Sequence, residues 1–255
     1  MLKAKLSVSK VNELITYIYY CIKEEKLIME RIVAIHQPNF LPWLGFFYKM
    51  LRSDVFVLLD NVQFPIGRSY VSRVKIKLSQ GAIWLTVPVS HNFGQLTKDV
   101  KINNKELWQE KHLKTLEMNY KRAAYFKPIF ELLQEVYFKE EWELLVDFNI
   151  ELISNISKFL GIKTETVKAS SLNVSGKSTD LLINIVKELN GSIYLSGKGG
   201  ANYQDEEKFK VNGIKLIYSD FKHPTYPQLW GEFIEGLSIV DLLFNCGEKS
   251  LGYLK

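Results

Sequence analysis

The stretch IVAIHQPNFLPWLGFFYKML, Ile32 to Leu51, sets a His, two Pro, an Asn and a Gly between two apolar runs. The first run, Ile32 to Ile35, is short and rich in β-branched residues, and a second of the same kind, DVFVLL, follows at Asp54 to Leu59. Both are continuous rather than alternating, which fits strands covered on both faces, as in a parallel sheet. Between them Trp43 to Leu51 has the length and apolar spacing of a helix. Strand, loop, helix and strand make a βαβ unit, with its loop at the carboxyl end of the first strand.

Outward from this unit the same rhythm continues. In SYVSRVKIKLSQGAIWLTVPV, Val74, Ile76 and Leu78 can pair with Ile83, Leu85 and Val87 across the turn residues Ser79 to Gly81, which predicts a hairpin. Lys75 and Lys77 alternate with its apolar residues and read as an exposed face. Two amphipathic helical stretches follow, Asn104 to Met118 and Pro128 to Leu160, the second with a break near Lys139 to Glu141. VKASSL reads as a strand, Asp180 to Leu189 as a helix ended by Asn190 and Gly191, and SIYLSG and GIKLIYSD as two more strands. LSIVDLLFNCG reads as a core helix with Ser238 near its start and Gly247 as its stop. The expected fold class is α/β, a mostly parallel doubly wound sheet with an inserted β-hairpin and long helices packed on it.

A chain of 255 residues with 47% apolar residues can bury one large core, so residues 29–255 read as a single domain. Residues 1–28 read as an extension. VNELITYIYYCI is too short and polar to span a membrane, and Met29 is a candidate start, with a peripheral amphipathic helix as the alternative. The formal charge of +5 is spread along the chain without a basic block, which fits a phosphate-bearing small molecule and equally a Lys-rich proteome. Two cysteines, Cys21 and Cys246, suggest no disulfide framework, and a reducing cytoplasm is the simplest location.

In a doubly wound sheet ligands bind beyond the carboxyl ends of the strands, where HQPNFLP lies. Pro38 and Pro42 stiffen this loop, Gly45 allows close approach to the helix start, and the helix amino terminus favours an anion. His36, Gln37 and Asn39 supply directional polar contacts, and His36 can carry a proton near neutral pH. Asp60, ending the second apolar run, is placed as a general base or a hydroxyl-binding carboxylate. Gln63, Arg68 and Arg73 follow, the arginines suited to clamping phosphate bidentately. A second loop, YLSGKGGANYQ, carries Ser196, Gly197, Lys198 and Gly199 as a backbone-rich nest, with Tyr203 available to stack or hydrogen-bond. His223, Tyr226 and Gln228, carried with Trp230 and Phe233, can line a sugar or acyl pocket.

Several chemistries fail on spacing. His36, His91, His112 and His223 show no paired-ligand spacing, so no preformed metal site is expected, although Mg²⁺ carried by a nucleotide is compatible. SLNVSGKST has Ser171 where a phosphate-loop motif needs Gly, and Ser178 reads there as a helix cap. No Gly-x-Ser-x-Gly elbow or catalytic cysteine signature occurs, and the aromatics fall at core-periodic positions, so no nucleic-acid partner is expected.

HQPNFLPWLGFF, SDVFVLLDNVQF, SRVKIKLSQGAIWLTVPV, NYKRAAYF, YLSGKGGANYQ and LSIVDLLFNCG, in this order from Val33 to Gly247, resemble the WbqC-like family of bacterial proteins. The family's genes typically lie among those for O-antigen, capsule and other surface glycans, so the resemblance implies a pathway more firmly than a reaction. More distantly, the strand, proline loop and helix resemble HIGH-type nucleotidyltransferases, but Trp43 and Phe46 stand where that motif has its histidines. The resulting expectation is a cytoplasmic transferase that modifies an activated sugar with an acyl or aminoacyl group. An adenylating or nucleotidyl-transferring enzyme, or a non-catalytic nucleotide-sugar-binding or scaffolding module, are the alternatives. The sequence leaves the donor, the acceptor and the oligomeric state open.

Overall fold

The computed structural model describes residues 30–255 except Arg68. The expectations for residues 1–28 and for Arg68 therefore lie outside the described residues. The strands are β1 (Ile32–His36), β2 (Val55–Leu58), β3 (Arg73–Leu78), β4 (Gly81–Thr86), β5 (Val89–Ser90), β6 (Lys101–Ile102), β7 (Glu165–Lys168), β8 (Ile193–Ser196) and β9 (Lys215–Tyr218). The α-helices are α1 (Leu44–Leu51), α2 (Trp108–Tyr120), α3 (Phe126–Tyr137), α4 (Leu145–Phe159), α5 (Ser178–Glu188), α6 (Glu206–Val211) and α7 (Ile239–Cys246).

Five strands form an all-parallel sheet in the order β7-β2-β1-β8-β9. Successive side chains of a strand point to opposite faces, and in the three central strands both faces are covered. Val33, Ile35, Val55, Val57 and Tyr194 pack under α5 and α6 with Leu181, Ile185 and Phe209. Ala34, Phe56, Leu58 and Leu195 face the other way, into a larger core with Phe46 and Phe47 of α1, Leu116, Ile129 and Leu152 of the long helices, and Phe244 of α7. This double burial is the physical reason for the uninterrupted apolar runs.

The winding positions the site. From β1 the chain moves outward to β2 and then β7, with its connecting helices on the larger core. It then returns to the opposite side of β1 for β8 and β9, with α5 and α6 on the other face. The direction therefore reverses between β1 and β8. Their pairing ends at Ala34 and Leu195, so the two strands part at their carboxyl ends and a crevice opens there.

The hairpin forms with Val74 opposite Leu85 and Ile76 opposite Ile83, and Leu78 pairs with Gly81 across a turn of Ser79 and Gln80. The long helical stretch breaks between α3 and α4. There the Trp142 indole folds back to donate to the Val136 carbonyl at 2.9 Å, and Leu144 bridges Lys101. Ser238 accepts from the Val240 N–H at 3.3 Å at the start of α7, and Gly247 stops that helix with φ 53°.

Three expectations need correction. The strand expected at VKASSL lies at Glu165–Lys168, and Ala169–Ser171 is a 3-10 turn, because the Asp60 carboxylate takes the Ser170 N–H at 2.8 Å and its hydroxyl at 2.5 Å. Ser178 is the first residue of α5, with φ 50°, and not its cap; the cap position is Lys177, which makes no side-chain cap bond. Lys77, expected on an exposed face, is 2% exposed, and its ammonium donates to Gln228 Oε1 at 2.9 Å and to the Glu232 carbonyl at 2.5 Å. The aromatic C-terminal segment closes over that face of the hairpin, which strand alternation cannot register.

Candidate functional site

The crevice between β1 and β8 is a cavity of about 640 Å³, a size suited to a small molecule. HQPNFLP contributes His36 and Gln37, Trp43 follows it, and α1 contributes Gly45 and Lys49. The β8 loop supplies Ser196 to Gly200 and Tyr203, and the start of α5 supplies Ser178, Leu181 and Leu182. The two loops singled out in the sequence therefore open on one edge and line one space.

His36 ends β1 with its ring edge-on to Phe46, centroids 5.0 Å apart. Its Nδ1 lies 3.0 Å from the Gln37 carbonyl, and because a carbonyl only accepts, Nδ1 carries the proton. Burial, reinforced by the Lys49 ammonium, pushes the imidazole down to about 3, so the ring is neutral at pH 7. A neutral ring with Nδ1 protonated presents a lone pair at Nε2. It is built to accept a hydrogen bond.

Lys49 escaped the sequence reading. It is 3% exposed, donates from Nζ to the Ile35 carbonyl at 2.8 Å, and sits 5.7 Å from the centre of the Phe56 ring. Burial lowers its ammonium to about 7. The available signal was a lone charge within LGFFYKML, four residues after Gly45 and so on the helix face that meets the loop. Trp43 covers Gly45: a Cβ there would lie 2.3 Å from the indole, so the close approach that Gly45 permits is made by this chain's own ring. The indole meets Phe221 edge-on at 5.3 Å, making an aromatic wall.

On the opposite side the chain turns through a 3-10 helix, Lys198–Asn202. Among the described residues no acceptor takes the N–H groups of Lys198 and Gly199, which leaves the pair free for an anion. Lys198 is exposed and Tyr203 is 69% exposed, so both stand at the mouth. Beneath them Gly200 packs so closely that a Cβ would come 2.3 Å from Ser196 Oγ. The Gln204 amide donates to the Tyr194 hydroxyl at 3.2 Å and holds the loop on the sheet.

Other candidates are placed elsewhere. Asp60 is 1% exposed, lies outside the cavity lining, and spends both carboxylate oxygens on Ser170. Asn39 is buried outside the lining, and Gln63 is exposed in a bridge with Leu96. The Arg73 guanidinium stacks on Trp84 at 4.2 Å, with Nε and Nη2 buried and without partners. Gln228 is saturated by Lys77 and the Ile234 backbone, and Tyr226 donates to Asp241 at 2.9 Å. His223 gives Nδ1 to the Pro224 carbonyl at 3.0 Å and packs among Phe221, Tyr226 and Phe233. Tyr120 also donates to Asp241, so that carboxylate is satisfied internally, while His223 Nε2 is buried without a partner. Among the described residues no group of three His, Cys, Asp or Glu could hold a metal ion, and no helix is long and apolar enough to cross a membrane.

Asp60→Asn is accordingly expected to act on stability. Losing the charge-assisted pair of bonds that ties β2 to the β7 loop should cost about 2–3 kcal/mol. Ligand affinity per folded molecule should stay within a factor of about two. Urea denaturation paired with calorimetric titration checks both, and an affinity loss in a fully stable variant would restore Asp60 to the site.

The architecture defines a class: a doubly wound α/β protein with a ligand-sized cleft at the reversal of its winding. A family model for the WbqC-like protein family matches residues 37–253, and the chain belongs to that family. It is similar to Uncharacterized protein Rv1507c of Mycobacterium tuberculosis (strain ATCC 25618 / H37Rv), 34% identical over 226 residues, which cover 88% of this chain and 97% of that protein. No solved structure matches.

Proposed function

We propose that the chain is a cytoplasmic transferase of surface-polysaccharide or nucleotide-sugar biosynthesis. It holds an activated sugar by its phosphates in the β1/β8 cleft and modifies it with an acyl or aminoacyl group. The observation that carries this reading is the convergence of the HQPNFLP and SGKGGANY loops on one cavity. A phosphate at the mouth would meet the free N–H groups of Lys198 and Gly199 and the Lys198 ammonium. The aromatic wall of Trp43 and Phe221 offers a surface on which a sugar or base can pack. His36, neutral and with Nε2 free, would accept a hydrogen bond from an attacking hydroxyl or amine and orient it. Mg²⁺, if required, would come with the nucleotide.

Isothermal titration with nucleotide sugars, nucleotides and inorganic pyrophosphate tests the reading. Nucleotide sugars should bind most tightly, and His36→Ala and Lys198→Ala should each weaken binding. Because the two residues would share one ligand, their losses should be non-additive, with coupling of about 1 kcal/mol. No binding by any of the three probes would end the proposal. Mass spectrometry of the protein incubated with extracts of its own organism then separates catalysis from binding, since a non-catalytic module returns its ligand unchanged.

A further inference from the structure

Lys49 carries chemistry that anion binding at the cavity mouth leaves unused. Its ammonium has no carboxylate within ion-pairing distance among the described residues. Its only hydrogen bond among them is to the Ile35 carbonyl, it sits over the Phe56 ring, and the cavity it lines holds no carboxylate. A charged amine in such surroundings is costly and gives up its proton readily. With burial holding Lys49 near 7, roughly half of it is the free amine at neutral pH, against fewer than about one in a thousand for a lysine in water. A desolvated amine facing a cavity is an activated nucleophile. The neutral imidazole of His36 shares the same space, with Nε2 unprotonated.

We propose that Lys49 is a covalent catalyst whose Nζ condenses with an aldehyde or ketone of the cavity ligand to form an imine. This rests on the reading of the cleft as a phosphate-ester site and narrows its ligand to a carbonyl-bearing one. A keto sugar carried on a nucleotide meets both requirements. The Nζ lone pair forms the C–N bond as the C=O π pair moves to oxygen, and one amine proton passes to that oxygen while His36 Nε2 accepts a hydrogen bond from the nitrogen. The second amine proton follows the first to the oxygen, which leaves as water when the remaining C–O single bond breaks and C=N forms. Amine plus carbonyl gives imine plus water, with no change of oxidation state. Protonated, the imine draws electrons from the neighbouring carbons and activates them for transfer.

The test uses pyridoxal 5′-phosphate, an aldehyde that carries a phosphate, on the full-length protein, with borohydride to fix any imine and peptide mass spectrometry to locate it. Lys49 should be labelled on the order of tenfold or more above any exposed lysine, Lys198 included. Pyridoxal without its phosphate should label it more slowly, and a nucleotide sugar should protect it. Lys49→Arg keeps the charge but should give no adduct at that position. Wild-type labelling at Lys49 no greater than at exposed lysines overturns the proposal without reference to any variant. Nucleotide-sugar binding without Lys49 labelling defeats the imine and spares the phosphate-site reading. Strong Lys49 labelling in a protein that binds no nucleotide sugar supports the reactive amine and defeats the phosphate-site reading instead.

Discussion

Lowering the pH from 6.5 to about 4 is expected to remove on the order of 5 kcal/mol of stability, enough to begin unfolding a domain of ordinary stability. Two histidines carry this. Burial, with help from Lys49, holds His36 down to about 3, and burial holds His112 down to about 4. His112 is neutral for a visible reason: Nε2 donates to the Thr86 carbonyl at 3.0 Å, so Nδ1 can only accept, and the Tyr137 hydroxyl lies 3.3 Å from it. Both folded values lie below the ordinary 6.5, so between 6.5 and the folded value the unfolded chain binds protons that the folded chain refuses. The stability that neutrality provides is present above 6.5 and is lost as pH falls through the window. His36 is only partly buried and lines the cavity, which keeps its share below the ceiling. Urea denaturation across this range gives the slope. In the double variant His36→Gln, His112→Gln the slope above pH 5 should nearly vanish, and a wild-type stability that is already flat from pH 6.5 to 5 would contradict the assignment.

Lys49→Met is expected to stabilise the fold and to remove the cavity's reactive amine together. Burial has moved the ammonium from 10.5 to about 7, which corresponds to at most about 5 kcal/mol of unfavourable free energy when the group is charged. Met fills a similar volume without the charge. Losing the bond to the Ile35 carbonyl returns about 1–3 kcal/mol, so a net gain of about 2 kcal/mol at pH 7 is expected. The sign has its own pH signature. The folded value lies below the unfolded one, so wild-type stability rises between pH 7 and 10.5 as Lys49 sheds its proton, and the advantage of Lys49→Met should shrink over the same interval. A variant less stable than wild type at pH 7 would mean that the ammonium is better solvated than its burial indicates. Retained destabilising charge at a cavity wall is the trade-off expected of a group kept for function.

What could be read before folding is what each residue's immediate neighbours dictate. The continuous runs IVAI and VFVLL announced strands covered on both faces, because a strand with one wet face must alternate. The presence of the longer helices, the hairpin and the stop at Gly247 followed from local pattern and backbone preference, while the short helix Glu206–Val211 did not. HQPNFLP and SGKGGANY were legible as strand-end loops for the same reason: polar and glycine-rich segments interrupt apolar runs only where the chain leaves the core. Strand order was not legible, since β1 pairs with β8 across more than half the chain and nothing local in Ile193–Ser196 names its partner. The reversal of winding that makes the cleft is therefore a tertiary fact. So are the fates of individual polar groups. Asp60 met Ser170 and became a tie between loops, Gln228 met Lys77 and was saturated, and Lys49 met a carbonyl in a cavity without a carboxylate. The sequence determined which side chains could ionise or donate. Only the tertiary structure decided which of them found partners, because desolvation and pairing depend on what the rest of the chain brings within a few ångströms.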